Sequence, residues 1–98
     1  MAEFDSDDFM SDFQALIECE SFSNDLSSLA RSARLVSRIG TGMLDAAPQI
    51  VETDGHPHVL WRFGTGPRKV VLIGHHDTVW PTGTLADFPY SVKDGVVG

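Results

Sequence analysis

The sequence predicts an α/β fold, and three observations indicate it. Apolar residues recur at helical spacing in the first part of the chain, and from residue 48 onward they form short runs typical of strands. An unbroken apolar run at residues 70–73 is typical of a strand covered on both faces, as in a parallel sheet. The chain has 98 residues, 42% of them hydrophobic and 21% charged, which suits one compact domain.

Two amphipathic helices are predicted at the start of the chain. Apolar side chains share one helical face over residues 6–19 and again over residues 24–39. The second segment is followed by Gly40 and Gly42. Because glycine favours the left-handed conformation found just after many helices, we expect these two glycines to end the second helix.

Three strands and a terminal hairpin are predicted in the second half of the chain: residues 48–53, residues 58–63, residues 69–74 and residues 88–98. The first two strands are separated by Asp54-Gly55, and the hairpin is expected to turn at Asp94-Gly95. Asp-Gly is a strong turn signal, because the tight hairpin turns require positive φ angles at their central residues.

The charge balance excludes some classes of partner. Fourteen acidic and seven basic residues give a net charge of -7, so neither nucleic acid nor an anionic membrane is expected as a partner. Cys19 is the only cysteine, which excludes an internal disulfide and is consistent with a reducing compartment. The amino terminus does not resemble a signal peptide, and no apolar run reaches transmembrane length, so a cytoplasmic location is expected.

The chemistry of the chain is expected at the end of the predicted third strand, where Gly74 is followed by His75, His76 and Asp77. Side chains alternate along an extended strand, so His75 and Asp77 should point to one side and His76 to the other. Zinc binds neutral imidazole nitrogen, and a carboxylate either binds the ion directly or orients a ligating histidine. The pair therefore has the chemistry of a metal site, although the same residues could also cap a strand.

The surrounding residues resemble the signature of the zinc-dependent metallopeptidase family of glutamate carboxypeptidase, acetylornithine deacetylase and succinyl-diaminopimelate desuccinylase. In that family an apolar strand leads into Gly-His-x-Asp-Thr-Val, and residues 71–79 follow this pattern. The continuation Trp-Pro-Thr-Gly-Thr-Leu at residues 80–85 is similar to the glutamate carboxypeptidase branch. Outside residues 74–85 the resemblance is one of general pattern, with two opening helices and a terminal hairpin.

The resemblance implies roles for the residues of the motif. His75 resembles the family's ligand to one zinc ion, and Asp77 resembles the catalytic-site aspartate that hydrogen-bonds the other nitrogen of that imidazole. His76 falls on a variable position, so we expect it to be packed or solvated rather than ligating. The complete enzyme is implied to hold two zinc ions, which share a bridging aspartate and a water, and to use a glutamate as general base.

The resemblance also implies an architecture and an activity. The fold would be a three-layer αβα catalytic domain with a mixed, largely parallel sheet. The further ligands and the general base lie downstream of the signature, so residues 1–98 are expected to be its amino-terminal portion, incomplete and without the dimerisation domain. The implied enzyme is a homodimeric zinc carboxypeptidase that acts on small peptides or N-acylated amino acids and releases a glutamate-like residue. Because zinc needs about three or four protein ligands, the chain alone is expected to bind zinc weakly and to be inactive.

Two other interpretations remain open. The chain could be a non-enzymatic remnant or small binding module that keeps the fold without a complete metal site. Alternatively, it is a small α/β domain in which His75 and Asp77 only cap a strand. The reading frame after codon 98 distinguishes the interpretation as part of an enzyme from the interpretation as a binding module. A continuing frame with an Asp-Met-Lys-like motif within about ten residues indicates the enzyme, and a stop codon indicates the module.

Overall fold

The computed structural model describes residues 5–67 and 69–98. The elements in chain order are α1 (Ser6–Glu18), α2 (Leu26–Leu44), β1 (Gln49–Thr53), β2 (His56–Leu60), α3 (Thr84–Asp87), β3 (Val92–Lys93) and β4 (Val96–Val97). Helices and strands are therefore both present, as an α/β fold requires. The two long helices precede the strands, as the change in apolar period predicts.

Both long helices begin at an aspartate. The carboxylate of Asp5 accepts hydrogen bonds from the N–H groups of Asp7 at 2.9 Å and Asp8 at 3.2 Å. The carboxylate of Asp25 accepts the N–H of Ser28 at 3.1 Å. A carboxylate at this position satisfies N–H groups that have no partner within the helix. The two predicted helices are thus confirmed, each with a side-chain cap.

The expected end of α2 is wrong. The helix continues through Gly40 and Gly42, and the residue that follows it, Asp45, adopts the left-handed conformation at φ 51° and ψ 38°. Gly40 has a packing role instead, because the indole ring of Trp61 occupies the space that a Cβ atom would fill. The indole N–H of Trp61 also donates to the carbonyl of Ala46 at 2.8 Å. Glycine here permits close contact between the helix and the chain that follows β2.

The strand pairing of the first hairpin is set by its turn. Asp54 and Gly55 have φ angles of 52° and 79°, as a two-residue type I′ turn requires. This turn pairs Thr53 with His56, so β2 begins earlier than predicted. The strand ends at Leu60, earlier than predicted, because the next residue leaves the ladder to contact α2.

The second hairpin turns in the same way at Asp94 and Gly95, with φ angles of 52° and 76°. Its short strands, β3 and β4, pair in antiparallel fashion. The hairpin predicted for the last part of the chain is confirmed. Both hairpins therefore depend on local turn chemistry that an Asp-Gly sequence supplies.

The predicted third strand, residues 69–74, is not a strand in the part of the chain that the structure describes. Side chains at residues 70–73 are 74 to 94% exposed. A strand needs a neighbouring backbone, and each two-stranded antiparallel sheet pairs only within its own hairpin. Among the described residues, parallel pairing is limited to one isolated bridge between Phe22 and Thr78. The described residues thus contain no largely parallel sheet and no three-layer arrangement.

The core is small and lies on the face of α2 that packs against β2. Its buried apolar side chains are Leu29 and Ala33, and the neighbouring hydroxyls of Ser28 and Ser32 are buried with them. Pro57 of β2 is also buried. No helix within the described ranges combines the length and the apolar character needed to cross a membrane.

Candidate functional site

The motif that contains His75 and Asp77 is fixed to the chain between α1 and α2, residues 19–25, which we call the connecting segment. Just after the motif, Thr78 donates its N–H to the carbonyl of Ser21 at 2.8 Å and accepts the N–H of Ser23 at 2.9 Å. This is the parallel bridge, and it is the first backbone pairing after the exposed residues 70–73. The motif is therefore positioned by contacts with the connecting segment rather than by a sheet.

Two carboxylates of the connecting segment hold the loop that follows. Glu20 accepts the N–H groups of Gly83 at 3.0 Å and Leu85 at 2.9 Å, at the start of α3. These backbone hydrogen bonds hold the pKa of Glu20 below its ordinary value. Asp25 accepts the hydroxyl of Thr82 at 2.8 Å. This hydroxyl, together with the α2 groups that Asp25 caps, lowers the pKa of Asp25 to about 2. Both contacts favour the ionised carboxylates, so the loop is held by charge-assisted hydrogen bonds.

The structure brings His75 and Asp77 together. Nδ1 of His75 lies 3.0 Å from the carbonyl oxygen of Asp77 and 3.3 Å from its carboxylate oxygen Oδ1. Both oxygens only accept hydrogen bonds, so Nδ1 carries a proton and Nε2 of the neutral ring carries the lone pair. The side chain of His75 is 83% exposed, and Nε2 has no hydrogen-bond partner among the described residues. The imidazole is thus held through one nitrogen and open to solvent at the other.

The carboxylate of Asp77 has a second partner on the connecting segment. Its oxygen Oδ2 accepts the hydroxyl of Ser23 at 2.6 Å. This hydrogen bond, assisted by the nearby His75 ring, holds the pKa of Asp77 below its ordinary value. The two carboxylate oxygens therefore have different partners, one on each side. Ser23 is not among the predicted site residues, because no local pattern indicates a contact across 54 positions of sequence.

The ring of His76 contacts α2 and β2, in contrast to the exposed ring of His75. Its Nδ1 is 2.9 Å from the hydroxyl of Ser32 in α2, and its Nε2 is 3.4 Å from the carbonyl of Pro57 in β2. A carbonyl only accepts, so in the neutral ring Nε2 carries the proton and Ser32 donates to Nδ1. Both nitrogens are engaged, so His76 is packed, which is one of the two environments expected for it.

An open cleft of about 1210 Å³ lies beside the paired residues. Its lining includes His75 and Asp77 from the motif, Leu29 and Val36 from α2, and Trp80. Small-molecule sites typically occupy about 300–1000 Å³, so the cleft has room for a small peptide. The exposed imidazole of His75 therefore borders a cleft with apolar walls, and the exposed residues His56 and His58 line the same cleft.

The donor set supports one coordination bond to a metal. Within residues 5–67 and 69–98, no group of three or more histidine, cysteine, aspartate or glutamate side chains is arranged to hold a metal ion. His75 offers Nε2, and Asp77 provides the carboxylate that commonly supports a ligating histidine. These residues fit part of a zinc site, and they do not supply the roughly three or four protein ligands that zinc takes.

Comparison with known proteins identifies no relative. No protein-family model matches the chain, and neither the curated proteins nor the solved structures give a match. What the site can do is therefore inferred from the geometry of the motif and from the residues around it.

Proposed function

We propose that the chain is the amino-terminal portion of a dinuclear zinc metallohydrolase that cleaves peptide or amide bonds. The observation that carries this proposal is the orientation of His75. Its Nδ1 is held by the carbonyl and the carboxylate of Asp77, at 3.0 and 3.3 Å, and its Nε2 is left for another partner. A histidine oriented in this way by a carboxylate is typical of zinc sites in proteins.

Residues 74–85 give the proposal its chemical class, because they resemble the signature of the zinc-dependent metallopeptidases named above. In this proposal residues 70–73 form a central strand of a three-layer αβα domain with a largely parallel sheet. These apolar residues are 74 to 94% exposed in the chain. An apolar run of this kind is normally covered by neighbouring strands and helices, so its exposure supports the proposal that further elements cover it in the complete enzyme. The complete enzyme would be a cytoplasmic homodimer.

The roles of the chain's own residues follow from their contacts. Asp77 keeps Nδ1 of His75 protonated, so that the Nε2 lone pair is directed away from the protein. A zinc ion held in part by His75 would lower the pKa of a bound water and polarise the scissile carbonyl. Trp80 lines the cleft beside the pair and would form a wall for the substrate. The proposed substrates are small peptides or N-acylated amino acids with a glutamate-like carboxy-terminal residue, and residues 80–85 suggest this class.

Zinc titration of the full chain tests the role of His75. We expect weak binding that shifts the NMR signals of the His75 ring first, because this ring is 83% exposed and has an unengaged nitrogen. The variant His75→Ala should lose this response. His58→Ala is the comparison variant, since His58 is an exposed histidine of β2 that lines the same cleft without a hydrogen bond to Asp77. A response centred on His58 and retained in His75→Ala would show that His75 is not the ligand.

Turnover separates the proposed enzyme from a binding module without a complete metal site. Residues 1–98 alone should not hydrolyse N-acylated glutamate, because one histidine cannot hold a catalytic zinc ion. The polypeptide extended through a continuing reading frame should hydrolyse it, and a chelator or His75→Ala should abolish the activity. A stop codon after residue 98, or an extended and zinc-loaded protein with no hydrolase activity, would favour the module.

A further inference from the structure

The carboxylate of Asp77 lies between two partners that belong to different parts of the chain. Oδ1 is 3.3 Å from Nδ1 of His75, and Oδ2 is 2.6 Å from the hydroxyl oxygen of Ser23. The contact with His75 is local, whereas the contact with Ser23 spans 54 positions of sequence. The connecting segment between the helices therefore contacts the carboxylate that orients the exposed histidine.

The hydroxyl proton of Ser23 has two possible acceptors. Besides Oδ2 of Asp77 at 2.6 Å, the carbonyl oxygen of Thr78 lies at 2.9 Å. Hydrogen bonds from a hydroxyl to an ionised carboxylate are typically about 2.5–2.7 Å long and are stronger than those between neutral groups. The distance and the charge both assign the proton to Asp77. The Thr78 carbonyl already accepts the backbone N–H of Ser23.

The position of the Ser23 hydroxyl is set by its backbone. The N–H of Ser23 donates to Thr78 at 2.9 Å, and Thr78 in turn donates to Ser21 at 2.8 Å. Rotation of an aspartate carboxylate about its last side-chain bond is otherwise broad and weakly restricted. With Oδ2 fixed by Ser23, that rotation is limited, and Oδ1 stays directed toward His75.

We infer that Ser23 is a positioning residue for the metal-binding histidine. Its hydroxyl fixes the carboxylate of Asp77, and through that carboxylate it favours the tautomer of His75 with a proton on Nδ1 and a lone pair on Nε2. The inference deepens the proposed function and rests on it, because it concerns a histidine that we propose as a zinc ligand. Ser23 itself contacts neither the ring of His75 nor the cleft beside it.

We expect removal of the Ser23 hydroxyl to lower the zinc affinity only in part. The carbonyl of Asp77 also accepts Nδ1 of His75 at 3.0 Å, and this contact does not depend on Ser23. Loss of a direct partner of a ligating histidine typically lowers metal affinity about 10–100-fold. For Ser23→Ala, which acts one step further away, we expect a smaller loss of about three- to tenfold in zinc affinity.

The test uses the 98-residue chain at one fixed pH, with two measurements on each variant. The ring-nitrogen NMR shifts of His75 report the tautomer without added metal, and zinc titration reports the affinity. Ser23→Ala should give mixed tautomers and weaker zinc binding, whereas Ser23→Thr, which keeps a hydroxyl, should retain much of both. Ser11→Ala is the control, because Ser11 is exposed and makes no hydrogen bond to another described side chain.

Two further variants keep the inference falsifiable. Ser23→Cys preserves the shape of the side chain and has only a weak donor, so it should reproduce the change of the His75 tautomer even if Ser23→Ala does not fold. This variant is measured without zinc, because a thiol can itself bind the metal. In an Asp77→Asn background, Ser23→Ala should have no further effect on His75, because the carboxylate through which Ser23 acts is already absent. The ring signals of His76, which depend on Ser32 and Pro57, serve as the check that the fold is intact.

The outcomes distinguish this inference from the proposed function. An unchanged His75 tautomer in folded Ser23→Ala or Ser23→Cys, or an unchanged zinc affinity in folded Ser23→Ala, would overturn the positioning role. An equal effect of Ser23→Ala with Asp77 present or replaced would do the same. If zinc does not perturb His75 in the wild-type chain, the proposed function fails, while the tautomer measurement still decides whether Ser23 orients the ring.

Discussion

At the scale of single residues, two adjacent histidines have different environments because they have different partners. His75 is held at Nδ1 and exposed, whereas both nitrogens of His76 are engaged by Ser32 and Pro57. One imidazole therefore remains available for chemistry, and the other joins the motif to α2 and β2.

The carboxylate of Asp77 should matter for activity more than for folding. In the complete enzyme we expect Asp77→Asn to keep the fold and to lower activity about 10–100-fold, because the amide cannot hold the His75 ring as the carboxylate does. The measurement is kcat/KM with an N-acylated amino acid, and circular dichroism checks the fold. Asp8→Asn, a change at an exposed position of α1, should leave both unchanged. Wild-type rates for Asp77→Asn would refute the orienting role.

At the scale of elements, the end of α2 is joined to the hairpin through Gly40. The ring of Trp61 fills the space beside this glycine, so a methyl group there must displace the ring. We expect Gly40→Ala to destabilise the chain by about 1–3 kcal/mol, the usual range for overpacking. Urea unfolding followed by circular dichroism measures this loss.

Gly42 provides the matched control in the same helix. Nothing lies within 4 Å of the position that its Cβ atom would occupy. Gly42→Ala should therefore stabilise the helix, by up to about 1 kcal/mol, because alanine has the higher helix propensity. Equal stability changes for the two alanine variants would contradict the packing role of Gly40.

The connecting segment is anchored by Glu20 and Asp25, and this should make stability depend on pH. The pKa of each carboxylate is lower in the folded chain than its ordinary value, which is 4.5 for Glu20 and 3.8 for Asp25. Each group therefore binds fewer protons in the folded state than in the unfolded state near these values, and stability falls as the pH falls. For Asp25 the loss should occur as the pH falls from about 3.8 to about 2.

Neutral variants test this pH dependence. Asp25→Asn keeps a residue suited to cap α2 but removes the charge, so its stability should change less with pH in that window. Glu20→Gln should behave in the same way below pH 4.5. Urea midpoints measured at neutral and acid pH give the comparison, with Glu18→Gln as the control because Glu18 makes no side-chain hydrogen bond to a described residue. An unchanged pH profile in both variants would exclude the anchors as its cause.

At the scale of the whole molecule, the chain is less compact than its length allows. Its radius of gyration is 15.2 Å, whereas a compact domain of this length has about 13 Å. Its accessible surface is 8004 Å², whereas about 5500 Å² is typical for a folded protein of 10.7 kDa. The apolar residues 70–73 contribute to this excess. The described residues thus bury less surface than an independent domain usually does.

The exposed segment at residues 70–73 should promote association of the isolated chain. Unpaired backbone and apolar side chains favour pairing with a second strand. We expect sedimentation coefficients that rise with protein concentration, and a smaller rise for the double variant Leu72→Lys, Ile73→Lys. Phe63→Lys is the control, because Phe63 is 65% exposed but lies outside this segment. A monomer that unfolds cooperatively at all concentrations would contradict this expectation.

The sequence by itself determines those features that depend on neighbours along the chain. The apolar period predicts α1 and α2, and Asp-Gly predicts both hairpin turns, because helix faces and positive φ angles are local properties. These local features account for the two long helices and the two hairpins of the fold.

Tertiary structure alone decides the features that need a distant partner. An apolar run predicts a strand at residues 69–74, yet a strand forms only where another backbone completes its hydrogen bonds. Gly40 looks like a helix end until the ring of Trp61 is placed beside it. The hydrogen bond between Ser23 and Asp77 joins residues 54 positions apart, and no local pattern specifies it. Local chemistry therefore determines the helices and the turns, and long-range contacts determine which segments of the chain meet at the motif.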